Sequence, residues 1–352
     1  MDTKIVTIDS NCIDEGSLIA AGNIIKSGGL VAFPTETVYG LGGDALNSEA
    51  SGKIYAAKGR PSDNPLIVHI AELDDLYTIA SSVDKRALIL ADKYWPGPLT
   101  MIFPKKSIVP DATTGYLDTV AVRMPSHPIA KAFIKAAGGF IAAPSANASG
   151  RPSPTTCAHV VEDMSGKIEM IIDGVSCDIG LESTIVDFTS DTPMLLRPGY
   201  VSHRMLEDLI GPVLKDPAVF GNTLDASVKP KAPGMKYRHY APKGELAIVR
   251  GQGDAVYNYI QAHICEAKSN GKRVGVIVST DYANKYTDCD FIGDIGNRDN
   301  EAEIASNLYD LLRRCDEEHI DVIYSEEFDT PNLGQAIMNR LIKAAGHTII
   351  EV

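Results

Sequence analysis

Three short stretches of this chain carry groups able to bind and transform a phosphorylated substrate: PTETVYGL at 34–41, KGRPSDNPLIVH at 58–69 and APSANASGRPSP at 143–154. In the second, Lys58 and Arg60 stand where a helix ends, and Gly59, Pro61 and Pro65 force irregular backbone after it. Arg60 can grip phosphate oxygens as a planar fork, with Lys58 as a mobile point charge. Asn64 adds a bidentate amide, and His69 ends a strand, from which a side chain can reach a cleft, although a lone histidine is more often structural. In the third stretch, Ser145, Asn147, Ser149 and Ser153 follow an apolar strand, where ligands of open α/β sheets bind. Ser145 lacks a nearby base of the Gly-x-Ser-x-Gly kind, so it reads as a hydrogen-bond donor and a hydrolase triad is disfavoured.

The first stretch puts Thr35, Glu36, Thr37 and Tyr39 in a loop before a helix that begins near Ser48. A turn with an N-cap accounts for Asp44 but leaves Tyr39 and the two threonines unexplained. TVAVRMPSHP sets Arg123 at the end of an apolar strand, where a buried cation needs an anion. That anion is an internal carboxylate or a substrate's, and residue chemistry leaves both open. GLESTIVDF and LLRPG supply Ser183, Thr184 and Arg197, with Asp173, Glu182 and Asp187 close by. Magnesium shared with ATP is held largely by phosphates and water, so no protein ligand for it is named. The sum is a cationic, hydroxyl-rich pocket suited to ATP.

The elements that must position these groups alternate short apolar strands with helices as far as about Ile210, a mixed α/β order. Strands are expected at 30–33, 66–70, 99–103, 119–123, 140–143, 168–172, 183–188 and 194–196, and helices at 14–26, 48–57, 85–94 and 129–137. Between Asp216 and Gly244 the periodicity stops, and KPKAPGMKYRHYAPKGE gathers Pro, Gly, Lys, Arg and Tyr, favouring an ordered segment that contacts the site over an inert tether. The remainder reads β-α-β-x-β-α-β-α-β, with strands near 245–249, 273–279, 321–324 and 348–352, a small three-layer parallel-sheet domain. Its glycine turn, Gly251 and Gly253, lacks the third glycine of a dinucleotide fingerprint and reads as a plain turn.

At 352 residues two domains are the default, and a hydrophobic content of 44% with 22% charged residues excludes disorder. The acidic N-terminus lacks the apolar core of a signal peptide and no later run spans a bilayer, so a soluble cytoplasmic protein is expected. Six scattered cysteines form no CxxC pair and no zinc spacing. A net charge of -13 argues against sequence-blind adhesion to nucleic acid, while a local basic patch stays open.

Together with WPGPLT, ESTIVD, LLRPG and APGMKYRHYAP, these stretches resemble the long form of the threonylcarbamoyl-AMP synthases. That resemblance implies a YrdC-like twisted mixed sheet flanked by helices at 1–215, an ordered linker over the active site at 216–243, and a Rossmann-like α/β/α domain at 244–352. It implies a nucleotidyltransferase that converts L-threonine, bicarbonate and ATP into threonylcarbamoyl-adenylate, pyrophosphate and water, for threonylcarbamoyladenosine beside the anticodon of tRNA. Threonine would lie against Thr37, His69, Arg123, Ala143 and Ser183, with Arg123 on its carboxylate. ATP would lie against Lys58, Arg60, Asn64, Thr119, Ser145, Asn147, Ser153 and Arg197, with Tyr240 or Tyr237 from the linker. Lys58 and Arg60 would do the catalytic work, and Mg2+ would come with ATP, mainly through its phosphates. Implied partners are the tRNA-modification proteins that accept the adenylate, a weak tRNA contact and no membrane. A hydrogenase-maturation carbamoyltransferase would need zinc CxxC modules, which are absent. A double-stranded RNA or tRNA-binding module without catalysis is the non-enzyme alternative, disfavoured by the acidic total.

Overall fold

A computed structural model describes residues 2–220, 230–235, 239–252 and 254–352. Tyr237, Arg238 and Gly253 lie outside the described residues. The chain divides into two compact units: Met1–Ser149 with Ser153–Tyr237, and Gly150–Pro152 with Arg238–Val352.

The first unit is built on strands β1 (Lys4–Thr7), β2 (Val31–Phe33), β3 (Gly40–Asp44), β4 (Ile67–His69), β5 (Leu99–Pro104), β6 (Thr119–Arg123), β7 (Ile141–Ala142), β8 (Met170–Asp173), β9 (Thr184–Asp187), β10 (Met194–Arg197) and β11 (Leu214–Lys215). Its helices are α1 (Glu15–Lys26), α2 (Ser48–Lys58), α3 (Leu76–Ile79), α4 (Lys85–Tyr94), α5 (Pro128–Ala136), α6 (Cys157–Met164) and α7 (His203–Ile210). The strands form one mixed sheet in the order β1-β8-β2-β3-β7-β4-β6-β5-β9-β10-β11.

Local sequence explains most of these elements. In α1, Leu18, Ala21, Gly22 and Ile25 recur at helical spacing and are buried, while Asp14 caps the first turn by accepting from the Gly16 and Ser17 amides. Pro128 opens α5, whose Ile129, Ala130, Phe133 and Ile134 are buried in the same core as the α1 stripe. Each large apolar side chain fully buried there contributes about 1.5–3 kcal/mol.

The main departure concerns residues 40–44. The glycine-rich run GLGGD was expected as loop, yet it is β3, antiparallel to both β2 and β7. Glycine has poor strand propensity, but here it allows close approach: a Cβ on Gly42 would lie 2.9 Å from Ile141 and 3.1 Å from the Phe33 ring. Helices α6 and α7 were also missed, and the cap of α2 is Asn47 rather than Asp44.

In the second unit β12 (Glu245–Arg250), β13 (Val274–Val278), β14 (Phe291–Asp294), β15 (Val322–Glu326) and β16 (Ile349–Glu351) form an all-parallel sheet ordered β14-β13-β15-β12-β16. Helices α8 (Asp254–Ser269), α9 (Thr280–Ala283), α10 (Glu301–Glu317) and α11 (Gly334–Ala344) connect them. The unplaced middle strand of the expected order is β14. Gly251 is a packing glycine, since a Cβ there would meet Val352 at 2.6 Å. The expected fold class, a helix-flanked mixed sheet plus a smaller parallel α/β unit, is the one adopted. No described helix is long and apolar enough to cross a membrane.

Candidate active site

Strand register assembles the site. His69 on β4 stands opposite Arg123 on β6, and Arg123 opposite Thr100 on β5. Thr100 pairs with Ile185 on β9, and Ile185 with Arg197 on β10. Directly opposed residues share a sheet face, so these strands bring the polar side chains of His69, Arg123, Thr100 and Arg197 into one row, interrupted by Ile185, from positions remote in sequence.

Arg123 is the centre of that row, 4% exposed. Its guanidinium meets the Glu36 carboxylate at 2.7 Å and donates to the Thr37 hydroxyl at 2.8 Å and the Gly97 carbonyl at 3.3 Å. The choice left open by residue chemistry therefore has an internal answer: Glu36, itself buried, balances the charge. Thr37 is held in turn by Thr35, whose hydroxyl also donates to the Val38 carbonyl at 2.6 Å. Tyr39 points into the core and its hydroxyl donates to the Val175 carbonyl at 2.8 Å, which makes it a structural residue.

His69 is buried beside this cation. Loss of hydration and the Arg123 charge push its pKa down from the usual 6.5 to about 3, so the ring is neutral. Nδ1 lies 3.2 Å from the Ile67 carbonyl, an interaction that needs the proton on Nδ1 and leaves Nε2 an acceptor. In the unfolded chain the imidazole takes up a proton below about pH 6.5, whereas the folded one resists until about pH 3. Stability is thus lost as pH falls through that window and is fully present above it. His127, lowered in the same direction by burial, adds to the trend. His69→Gln is expected to flatten the decline in urea midpoint between pH 7 and pH 5, and a decline as steep as the wild type's would refute this assignment.

Ser183 closes the row. Its hydroxyl lies 2.7 Å from that of buried Thr100, and Arg197 donates to its carbonyl at 3.0 Å and its hydroxyl at 3.2 Å. Ala143 is buried and tied to β4 through the Ile67 carbonyl. Of the five residues expected around threonine, His69 and Arg123 thus stand on neighbouring strands, and Thr37, Ala143 and Ser183 lie in loops bonded to Arg123, to β4 and to Thr100 of β5.

On the ATP side, Gly59 in the left-handed conformation ends α2 and turns the chain from Lys58 to Arg60. Lys58 was expected as a mobile point charge; it is 5% exposed and held. Its ammonium donates to the carbonyls of Ser145 and Asn147, the latter at 2.6 Å, and lies 3.4 Å from Asn147 Oδ1. Ser145 donates to the same Oδ1, so Lys58 organises the Ser-x-Asn loop from behind. Arg60 is half-buried and reaches the Asn64 and Pro65 carbonyls at 3.3 and 3.1 Å. Asn64 is 2% exposed, yet its Oδ1 has no hydrogen-bond partner among the described residues, an acceptor presence that suits a ligand N–H. Ser153 donates to buried Glu182 at 2.5 Å, and Thr119 opens β6 on the same face as Arg123. Tyr240 belongs to the second unit, where its ring packs 5.2 Å from that of Tyr309.

Two polar residues of the site had no role in the sequence reading. Glu36 was placed in the first stretch and carried a signal, an acid between two threonines in an apolar setting. Thr100 carried none, since a threonine in a strand needs no explanation. Among the described residues no three His, Cys, Asp or Glu side chains gather as a metal cage. Asp187 is engaged by Thr189 and Lys231, and Glu182 by Ser153.

Comparison with known proteins bears on both units. A family model described as "Telomere recombination" matches residues 23–199, and one described as "Threonylcarbamoyl-AMP synthase, C-terminal domain" matches residues 201–346. The chain is 49% identical to the threonylcarbamoyl-AMP synthase of Pyrococcus abyssi over 97% of each chain. It is 44% identical to that of Bacillus subtilis, over 97% of this chain and 96% of the relative. The crystal structure of P. abyssi Sua5 complexed with L-threonine superposes with a TM-score of 0.94 at 48% identity, covering 99% of this chain and 100% of that one.

Proposed function

The chain belongs to the threonylcarbamoyl-AMP synthase family, and on that premise we propose that it joins L-threonine, bicarbonate and ATP into threonylcarbamoyl-adenylate, releasing pyrophosphate and water. It is an enzyme of the nucleotidyltransferase type. The observation that supports this reading most is the Arg123 centre: a buried guanidinium paired with the Glu36 carboxylate, beside a neutral imidazole and two ordered hydroxyls, offers both charges and donors to an amino-acid zwitterion.

In this reading the threonine carboxylate adds to the hydrogen bonds of Arg123 and the Thr37 and Ser183 hydroxyls, against Ala143, while Nε2 of His69 accepts from the substrate. The threonine amine, after losing a proton, adds to CO2 formed from bicarbonate by loss of water, giving a carbamate. A carbamate oxygen then attacks the α-phosphorus of ATP, and the bond to the pyrophosphate oxygen breaks. No protein nucleophile is needed. Arg60 and Arg197 offset phosphate charge, Lys58 fixes the loop of Ser145 and Asn147 against the nucleotide, and Asn64, Ser153 and Thr119 complete its contacts. Magnesium would screen the phosphates; the described side chains form no cage for it, and no step is routed through it. The adenylate serves threonylcarbamoylation of the adenosine beside the tRNA anticodon, in the cytoplasm, through partner proteins that accept it and with weak direct tRNA contact.

Pyrophosphate release that requires threonine and bicarbonate together is the test; ATP left intact with both present would reject the reading. Arg60→Ala is expected to lower kcat/KM for ATP by about 100-fold while moving the urea midpoint little, because its side chain is half-buried and its bonds to the Asn64 and Pro65 carbonyls are to residues close by in the chain. Equal loss of folding and turnover would make Arg60 structural.

A further inference from the structure

Beyond the polar row, the same sheet face carries an apolar floor. Ile67, Ala121 and Ile102 are register partners across β4, β6 and β5, two residues along from His69, Arg123 and Thr100. Two residues of a strand advance about 7 Å. The floor is therefore next to the row, between it and Thr119. It is covered: Ala232 and Met235, 0% and 5% exposed, pack with Ile67, Ile102, Ala121, Ile185 and Leu196 in one cluster of the first unit. Pro230, Pro233 and Gly234 are buried as well, leaving Lys231 as the exposed residue of this short strap.

An ion pair ties the strap to β9. Lys231 Nζ meets Asp187 Oδ2 at 3.2 Å. Asp187 ends β9 opposite Ile102, at the margin of the floor, and is 1% exposed. Its other oxygen, Oδ1, is already taken by the Thr189 amide at 2.9 Å and hydroxyl at 2.7 Å. The carboxylate is thus oriented before Lys231 arrives, with one oxygen aimed at the strap. A desolvated carboxylate costs free energy unless a cation is close, so the charge that stabilises Asp187 also selects one position for the strap. Two prolines reduce the freedom lost in holding it.

We propose that Lys231 and Asp187 are positioning residues for adenylate formation: their ion pair clamps residues 230–235 over the apolar floor as a fixed wall of the nucleotide side of the site. This rests on the synthase reading above. The wall acts by narrowing the space beside the polar row and by keeping water from the adenylate, so its loss raises the ATP requirement more than it slows chemistry.

The experiment uses the full chain and two readouts, steady-state pyrophosphate release at graded ATP and hydrogen exchange of the amides of residues 231, 232, 234 and 235. Lys231→Ala is expected to raise KM for ATP by about tenfold with kcat within about twofold, and to speed exchange of those amides. Lys231→Arg should restore both, Asp187→Asn should mimic the alanine variant, and the double variant should be no worse than either single one. Exchange and KM both unchanged in Lys231→Ala would overturn the clamp; faster exchange with unchanged KM would overturn the positioning role. A wild-type protein without threonine- and bicarbonate-dependent turnover would instead sink the synthase reading, and exchange would still report on the clamp.

Discussion

Arg123→Ala is expected to lose threonine-dependent pyrophosphate release altogether and to cost about 3–5 kcal/mol of unfolding free energy, the range for removing one partner of a buried pair. The second effect distinguishes this residue from an ordinary substrate ligand. Without the guanidinium, Glu36 is a buried carboxylate with no countercharge, and Thr37 and the Gly97 carbonyl lose a donor. Glu36→Gln should be milder in stability, because the neutral amide tolerates burial, yet it releases the guanidinium from one of its three anchors. The double variant Arg123→Met with Glu36→Gln should recover much of the lost stability and none of the activity. That pattern, measured by urea unfolding and by isotope-labelled pyrophosphate release, separates charge compensation from substrate binding. An Arg123→Ala protein as stable as the wild type would refute the paired-charge account.

Lys58→Met should lower adenylate formation by about 1,000-fold, the loss expected when oriented groups around a reacting phosphate are released. Methionine preserves the apolar stem in its buried position but withdraws the ammonium from two carbonyls and the Asn147 side chain. Each buried acceptor left without a donor costs about 1–3 kcal/mol, so stability should fall too. Lys58→Arg should rescue stability better than activity, because its planar fork cannot reproduce one point donor between two carbonyls. If instead Lys58→Met kept the Ser145–Asn147 loop ordered by hydrogen exchange and lost only turnover, Lys58 would act on the nucleotide directly. If turnover were untouched, its assignment to the machinery would be wrong.

Much of the fold was legible because its signals are local. The apolar run of β6 matched its expected limits of 119–123, and α4 matched 85–94, with Asp84 capping it. Glycine and proline marked the end of α2 for the reason the left-handed Gly59 makes visible. The failures were local rules overridden by packing. GLGGD reads as loop by propensity, yet the approach of Ile141 and Phe33 to Gly42 selects glycine in a strand. Tyr39 resembled a site residue and is a core residue, since its ring is buried among strands that the local sequence does not reveal.

What the sequence by itself determined is the inventory: which side chains can meet phosphate or carboxylate, that they follow strand and helix ends, and that two α/β units follow one another. Tertiary structure alone decided how those groups are paired. Thr37 and Arg123 are 86 residues apart, and Lys58 and Asn147 are 89 apart, yet each pair is in hydrogen-bonding contact. Strand order and register bring them together, and register depends on which faces bury against which, a property of the whole sheet. For the same reason Glu36 emerged as the counterion of Arg123, Lys58 as a fixed organiser, and Asp187 with Lys231 as a clamp.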